Sequence, residues 1–464
     1  MEDNNSQSLS WATREFAGAE LGDERRAARL VRIAAGLAAK PGEAISWCCG
    51  RSGAQAMSRF FGRPEVTVES VLEPHRQETL YRTMGLERVI AVQDTTHLNF
   101  GSREGIEGAG LISTSEKTFG LMMHSTLMVS PDKTPLGVAG LQIWARDPQE
   151  RGKKKDRRNR PVTDKESNKW LLGLQAAENC APVGKHLIVV GDRESDVYAL
   201  FTAPRRENTD LLVRLSQNRA IKDEEHQKIL DAVDAALVIG DYVVTVPKKP
   251  SVKEHKTTLA IKSVRVILKP PRNRTPDVPN IPVEVWVIEA KEKDAPAGVE
   301  GLHWLLITTR CSDSYESAVC AVKDYTVRWV VEEYHHVLKD GCRVERNQME
   351  TADRLEPAIA VNTVVAWRLL HLTKMAGESP KDLASKVCTG IEAKVMEEWL
   401  RKEEETVPGQ IHTVKDFVMG VAIMGGFLAS RKTGLPGPKT VWRGLKRLED
   451  IVLGYNIAID CAFR

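Results

Sequence analysis

Two short apolar runs constrain this chain more than any other feature. Val89-Ile-Ala-Val92 and His186-Leu-Ile-Val-Val190 are too brief for helices and read as buried strands. Each runs into an aspartate, the first through Gln93-Asp94-Thr95-Thr96 and the second through Gly191-Asp192-Arg193-Glu194. Between them, Leu121 to Val129 and Leu136 to Trp144 read as two strands joined by the turn Ser130-Pro-Asp-Lys-Thr-Pro135, and Ser167 to Glu178 has helical spacing. A helix from Ser195 to Phe201 and a strand from Asp210 to Leu215 complete the order: three strands, helix, strand, helix, strand. One acid at the end of a buried strand reads as a turn or cap residue. Two acids at equivalent ends imply a shared site.

A three-strand meander followed by β-α-β units is the arrangement of ribonuclease-H-like nucleases, in which a later helix brings a third carboxylate. Here that helix is sought in Asp324 to Glu350. At about 100° per residue, Tyr325, Arg328, Glu332 and Lys339 fall at roughly 0, −60, −20 and −40°, so four polar groups share one stripe. Val327, Val330, Val331, Tyr334, Val337 and Leu338 lie on the opposite, apolar side. A carboxylate flanked by cations suits metal-dependent phosphoryl transfer, and it equally suits a solvated face with local salt bridges. Residues 216 to about 300 interrupt the core with alternating stretches at Asp241–Val246, Thr257–Leu268 and Pro282–Ile288, separated by cation-rich turns. They read as an inserted antiparallel β subdomain. Leu302 to Thr308 returns to a strand, and Ser314 is placed to cap the next helix.

The 464 residues are 42% hydrophobic and 28% charged, enough for two to four domains. The net charge is only +3, so a nucleic-acid surface has to come from local clustering. Arg146 to Arg160 is such a cluster, although a run of this kind is also an ordinary solvated loop. The eight cysteines include no C-x-x-C pair, which argues against a zinc ribbon or a disulfide framework and suits a reducing cytoplasm. The polar start Met1-Glu-Asp-Asn-Asn is no signal peptide, and no apolar run reaches 18 residues, so no membrane span is expected. Residues 1–70 read as helical. Asp23 caps a helix carrying Arg25, Arg29 and Arg32 on one side and Leu30, Ile33 and Leu37 on another, with Arg26 nearer the apolar side. Helices are also expected at Met57–Phe61 and Val66–Met84. From Leu355 the chain is helical to its end, and Gly425-Gly426 would let two helices approach closely.

Taken together, the motifs L-G-D-E-R-R-A-A-R-L (21–30), V-Q-D-T-T (92–96), D-K-E-S-N-K-W (164–170), G-D-R-E-S-D (191–196), H-W-L-L-I-T (303–308), Y-T-V-R-W-V-V-E-E-Y-H (325–335) and M-G-G-F-L-A-S-R-K-T-G (424–434) resemble the Tn-five type of cut-and-paste DNA transposase, in the IS-four superfamily of bacterial insertion sequences. The resemblance runs essentially end to end. It implies a ribonuclease-H-like α/β core with a mixed sheet and an inserted β subdomain, between helical N- and C-terminal domains. The implied boundaries are residues 1–70 for transposon-end binding, 71–370 for catalysis and 371–464 for dimerisation.

The resemblance makes Asp94, Asp192 and Glu332 the metal-binding triad for two Mg²⁺ ions, with Mn²⁺ able to substitute. Tyr325, Arg328 and Lys339 would contact phosphates at the transposon end. Trp304 would stack on a flipped base, Arg214 and Lys169 match cationic positions near the DNA end, and Arg26 and Arg29 would make end-specific contacts. His336 stands where the family has a lysine. The implied partners are double-stranded DNA and a second copy in a synaptic homodimer, with no membrane and no nucleotide cofactor, in a bacterial cytoplasm at the nucleoid. Two alternatives stay open: a ribonuclease-H-like nuclease that cuts without joining, and an end-binding regulator without catalysis.

Overall fold

In a computed structural model, the structure describes residues 10–39, 53, 55–101, 106–113, 118–147, 160–246, 255–294, 301–347, 349–402, 410–428 and 434–462. The chain divides into two compact units. One comprises Met1–Met84, Thr95–Glu150 and Val330–Arg464; the other comprises Gly85–Asp94 and Arg151–Trp329.

The first unit opens with helices α1 (Ser10–Phe16) and α2 (Glu24–Ala39), a helical stretch at 55–61 and α3 (Val68–Thr83). Asp23 starts α2 as expected, with its carboxylate accepting the Arg25 N–H at 2.8 Å. Leu30, Ile33 and Leu37 are buried, while Arg25 and Arg32 are exposed. Strand β1 (Arg88–Asn99) follows, then β2 (Gly110–Ser113), β3 (Thr118–Val129) and β4 (Pro135–Trp144). Sequence reading missed β2 and ended β1 too early. Thr95, Thr96 and Leu98 favour strand, and beyond the strand the Phe100 N–H bonds to the Phe119 carbonyl. Every residue from Gly120 to Val129 is buried, so β3 is a core strand.

Three side chains tie α1 and α3 together. Glu15 on α1 is 3% exposed; Arg82 on α3 grips its carboxylate with two hydrogen bonds, at 2.7 and 3.2 Å. His75 lies 2.5 Å away from the same carboxylate. The Val138 N–H donates to His75 Nε2, so that nitrogen is unprotonated and Nδ1 carries the proton toward Glu15. The pair with His75 is therefore a hydrogen bond to a neutral imidazole, and Arg82 is the counter-charge. Arg82 also lies 4.2 Å over the ring of Trp367, whose N–H donates to the Pro135 carbonyl at 3.0 Å.

The second unit begins with the first half of β1 and adds α4 (Asn168–Asn179), β5 (His186–Gly191), α5 (Tyr198–Thr202), β6 (Thr209–Arg214), α6 (Ile229–Ala235), β7 (Val238–Val246), β8 (His255–Leu268), β9 (Val283–Glu292), β10 (His303–Thr308) and α7 (Tyr315–Thr326). Its sheet runs β1-β5-β6-β10-β9-β8-β7, with β1, β5 and β6 parallel and the rest antiparallel. The mixed α/β core with helical flanks is the architecture expected of a ribonuclease-H-like transposase. The strands anticipated as an insertion are antiparallel, but β10 joins them to β6, so they lengthen the sheet. Ser314 caps α7 in a capping box with Ser317.

The helix expected over 324–350 is not continuous. After α7, the N–H groups of Val327 and Arg328 bond three residues back, to Asp324 and Tyr325, in a tightened turn. Helix α8 (Trp329–His336) then passes into a π turn (Val337–Gly341) and a 3-10 turn (Val344–Arg346). A count at one angle per residue cannot carry across these changes of winding, so the four-residue stripe does not exist as drawn. Helices α9 (Ala352–Glu378), α10 (Gly390–Lys402), α11 (Val414–Met424) and α12 (Pro438–Ala462) end the chain. Gly425 does permit close helix packing: a methyl there would stand 2.9 Å from the Gly444 nitrogen of α12, whereas Gly426 has nothing within 4 Å. No helix among the described residues is long and apolar enough to cross a membrane.

Candidate active site

The β1–β5 register pairs Arg88 with His186 and continues without a shift to Val92 and Val190. Val89, Ile90, Ala91 and Val92 are fully buried, as are their partners, and such buried parallel strands hold one register. Two residues further along each strand, the same register sets Asp94 level with Asp192, on strands about 4.8 Å apart. The β5–β6 register pairs Gly191 with Val213, which sets Asp192 level with Arg214. A carboxylate, a second carboxylate and a guanidinium thus follow one another across three strands at their C-terminal ends, where open α/β sheets bind ligands.

Local geometry fixes Asp192. Its Oδ1 accepts the Glu194 N–H at 2.9 Å and its carbonyl accepts the Ser195 hydroxyl at 2.6 Å, starting a 3-10 turn (Arg193–Ser195). A methyl on Gly191 would stand 2.6 Å from Ser195 Cβ, so the turn needs glycine there. The helix expected from Ser195 is therefore split between this turn and α5.

Tyr325 lies in the last turn of α7 and is 5% exposed. Burial pushes its hydroxyl above the ordinary tyrosine range, opposed by Arg328 and Arg214 and reinforced by Asp192. Arg328 also hydrogen-bonds the phenol. Trp304 on β10 is half-buried and meets Tyr325 edge to face, ring centres 6.0 Å apart. Arg214 donates to the His303 carbonyl at 3.3 Å, while its buried Nε has no partner. Lys169 is buried on α4, 3.1 Å from Glu194. The second unit thus gathers Asp94, Asp192, Arg214, Tyr325, Arg328 and Trp304 around one end of its sheet.

Sequence reading missed the clamp behind Tyr325. Asp324 is 2% exposed and bonds Arg310 at 2.8 Å and Arg88 at 3.3 Å. The three are far apart in the chain and form no motif; only the improbability of a charge on the buried side of α7 hinted at them.

Glu332 and Lys339 belong to the first unit. Glu332 lies on α8, three residues before His335, which is buried and whose Nε2 is 3.2 Å from the Ser125 hydroxyl of β3. Burial, with Lys339 nearby, holds the imidazole neutral, down to about 3. Thr95, the residue after Asp94, meets His124 of β3 at 2.9 Å. Lys339 is half-buried, and burial lowers its ammonium below the ordinary lysine value. On α2, Arg29 is half-exposed, whereas Arg26 is held by the Leu21 carbonyl at 2.8 Å and Glu65 at 3.0 Å. The basic cluster at 146–160 lies, from 148 to 159, outside the described residues. Among the described residues, no group of three or more histidine, cysteine, aspartate or glutamate side chains is close enough to hold a metal ion.

Residues 8–66 match the family described as Transposase DNA-binding, and residues 162–367 match the Transposase DDE domain. Such DDE domains generally work with divalent metal ions. A solved synaptic complex of the piggyBac transposase with hairpin DNA is similar at 11% identity and a TM-score of 0.34, over 73% of this chain. The chain spans 58% of the length of that protein. Matches to a transposase DNA-binding family and to a transposase DDE domain thus follow one another along this one chain.

Proposed function

We propose that the protein is a cut-and-paste DNA transposase of the Tn-five type, which binds transposon ends, excises the element and joins its 3′ ends to target DNA. The observation that carries this reading is the register that levels Asp94 with Asp192 beside a guanidinium, in a chain whose residues 162–367 match a DDE domain. Two carboxylates offer the hard oxygen donors that Mg²⁺ takes, and they need a third. In this reading Glu332 supplies it, from the helix that His335 anchors to β3. Divalent ions held by Asp94, Asp192 and Glu332 would supply an activated oxygen nucleophile and charge stabilisation at the attacked phosphate.

The other residues hold the substrate. Arg214 and Arg328 would clamp phosphates beside the acids, and Tyr325, kept protonated, would donate to a phosphate oxygen. Lys339 would contact a further phosphate, and Arg26 and Arg29, in the region that matches a DNA-binding family, would meet the end sequence. Water first nicks one strand; the freed 3′-OH attacks the opposite strand to form a hairpin; water reopens it, and the same 3′-OH attacks the target. Hairpinning extrudes a base, and stacking on the half-buried Trp304 offsets about 1–3 kcal/mol of that cost. The C-terminal helices would carry homodimerisation: Leu453 and Ile457 are exposed one turn apart on α12. The test is incubation of the protein and Mg²⁺ with DNA carrying the element's ends and a target plasmid. Joined products are expected; nicks that never lead to joining would leave a nuclease.

A further inference from the structure

Four residues beyond Asp192, the same G-D-R-E-S-D stretch carries a second acid, Asp196, which the cleavage chemistry leaves unused. It is 1% exposed, and its oxygens are all engaged. Its Oδ2 accepts the N–H groups of Ser216 and Gln217 at 2.7 and 2.9 Å, and the Arg219 guanidinium pairs with its Oδ1. A second nitrogen of Arg219 donates to the Asp196 carbonyl at 2.6 Å. Arg219 is itself only 9% exposed. The charge of Asp196 is thus matched by Arg219 and both carboxylate oxygens are occupied, so it is not placed as a further metal ligand.

A buried ion pair adds little stability, because desolvation cancels most of the attraction and apolar side chains of similar size hold a fold as well. What such a pair does supply is a fixed geometry. The β5–β6 ladder ends at Gly191 and Val213. Asp192 and Arg214 therefore stand one residue past its last pair, where this ladder no longer sets their separation. Asp196 closes that gap. It ends the 3-10 turn that Asp192 begins, and through Ser216 and Gln217 it holds the backbone just after Arg214. Leu215, next to Arg214, is tied on the other side to the Leu305 carbonyl of β10 at 2.8 Å.

We infer that Asp196 and Arg219 are positioning residues, which hold the end of β6 against the Asp192 turn so that Arg214 meets a DNA phosphate beside the acids. The inference rests on the reading of Arg214 as a phosphate contact. It gives the two acids of the motif different work: Asp192 belongs to the reaction, and Asp196 sets the distance from Asp192 to its cationic neighbour.

The test follows binding of the full-length protein to a short duplex carrying the element's end, by fluorescence anisotropy across a salt series with divalent ions removed. Arg214→Ala should weaken binding about tenfold and flatten the slope of log K against log salt by about one. Asp196→Asn removes a negative charge, which by charge alone tightens binding to DNA. Positioning predicts the reverse: a loss of similar size, with the same flattening. In the double variant the two losses should not multiply, because both act through one guanidinium. Arg219→Lys keeps the charge but cannot fork across the carboxylate and the carbonyl, so its loss should be smaller and in the same direction. It takes the place of Asp196→Asn in the cycle if circular dichroism shows that variant unfolded. Unchanged or tighter binding in the folded variant, or a loss that multiplies with that of Arg214→Ala, would overturn the inference and leave the transposase reading standing. No effect of Arg214→Ala, in a wild type that binds tightly, would instead remove the phosphate contact on which the inference rests.

Discussion

Replacing Glu15 by glutamine removes one negative charge from a site where Arg82 and His75 converge, and the structure sets the size of the effect. Burial alone would push this carboxyl up, yet His75 and Arg82 outweigh it and hold it down from an ordinary 4.5 to about 2. That difference corresponds to about 3 kcal/mol of stabilisation in the ionised form. Removing one partner of a buried pair costs about 3–5 kcal/mol, so the two routes agree. The sign follows from the depressed value. The contribution is complete above about pH 4.5 and is lost as the pH falls toward 2. Urea denaturation of wild type and Glu15→Gln should therefore differ by about 3 kcal/mol at pH 7, and the gap should close steadily below about pH 4.5. A difference under about 1 kcal/mol at pH 7, or one that ignores pH, would refute the assignment of Glu15, ionised between His75 and Arg82, as the charge that pins α1 to α3.

Other residues give equally direct outcomes. Trp304→Ala should slow hairpin formation about 5- to 150-fold while sparing the first nick, from stacking worth about 1–3 kcal/mol; gel assays of the two steps at equal rates would remove its special role. Gly444→Ala places a methyl 2.5 Å from the Val421 carbonyl carbon, so despite better helix propensity it should cost about 1–3 kcal/mol, seen as a lower thermal midpoint. Asp324→Ala leaves Arg310 and Arg88 without their shared carboxylate and should destabilise by about 3–5 kcal/mol, against less than about 1 kcal/mol for an exposed acid such as Glu316 on the same helix.

Much of the fold was legible because the signals are local. Buried strands such as Val89–Val92 and Leu187–Val190 announce themselves by unbroken apolar runs, and the β7–β9 strands by alternation. The pairing of Asp94 with Asp192 could be suspected from matching strand ends, but only the ladder fixes their register. Sequence could not foresee where β1 or the 324–350 helix would end. β1 runs on because its second half pairs with β3 of the same meander. The helix changes winding after Tyr325, in a tightened turn and again in the π turn at Val337–Gly341, and no constant helical period foresees such changes. The Asp324 clamp and the Glu15–His75–Arg82 group escaped notice for the same reason: their members are distant in sequence, and each alone resembles a surface charge.

The central claim is that three carboxylates, Asp94, Asp192 and Glu332, make one cleavage centre. It is tested most directly by Mg²⁺-dependent nicking of end DNA by Asp94→Asn, Asp192→Asn and Glu332→Gln, each checked for folding and for retained DNA binding. All three should bind the duplex and fail to nick it. Nicking at the wild-type rate by any one of them would contradict the account.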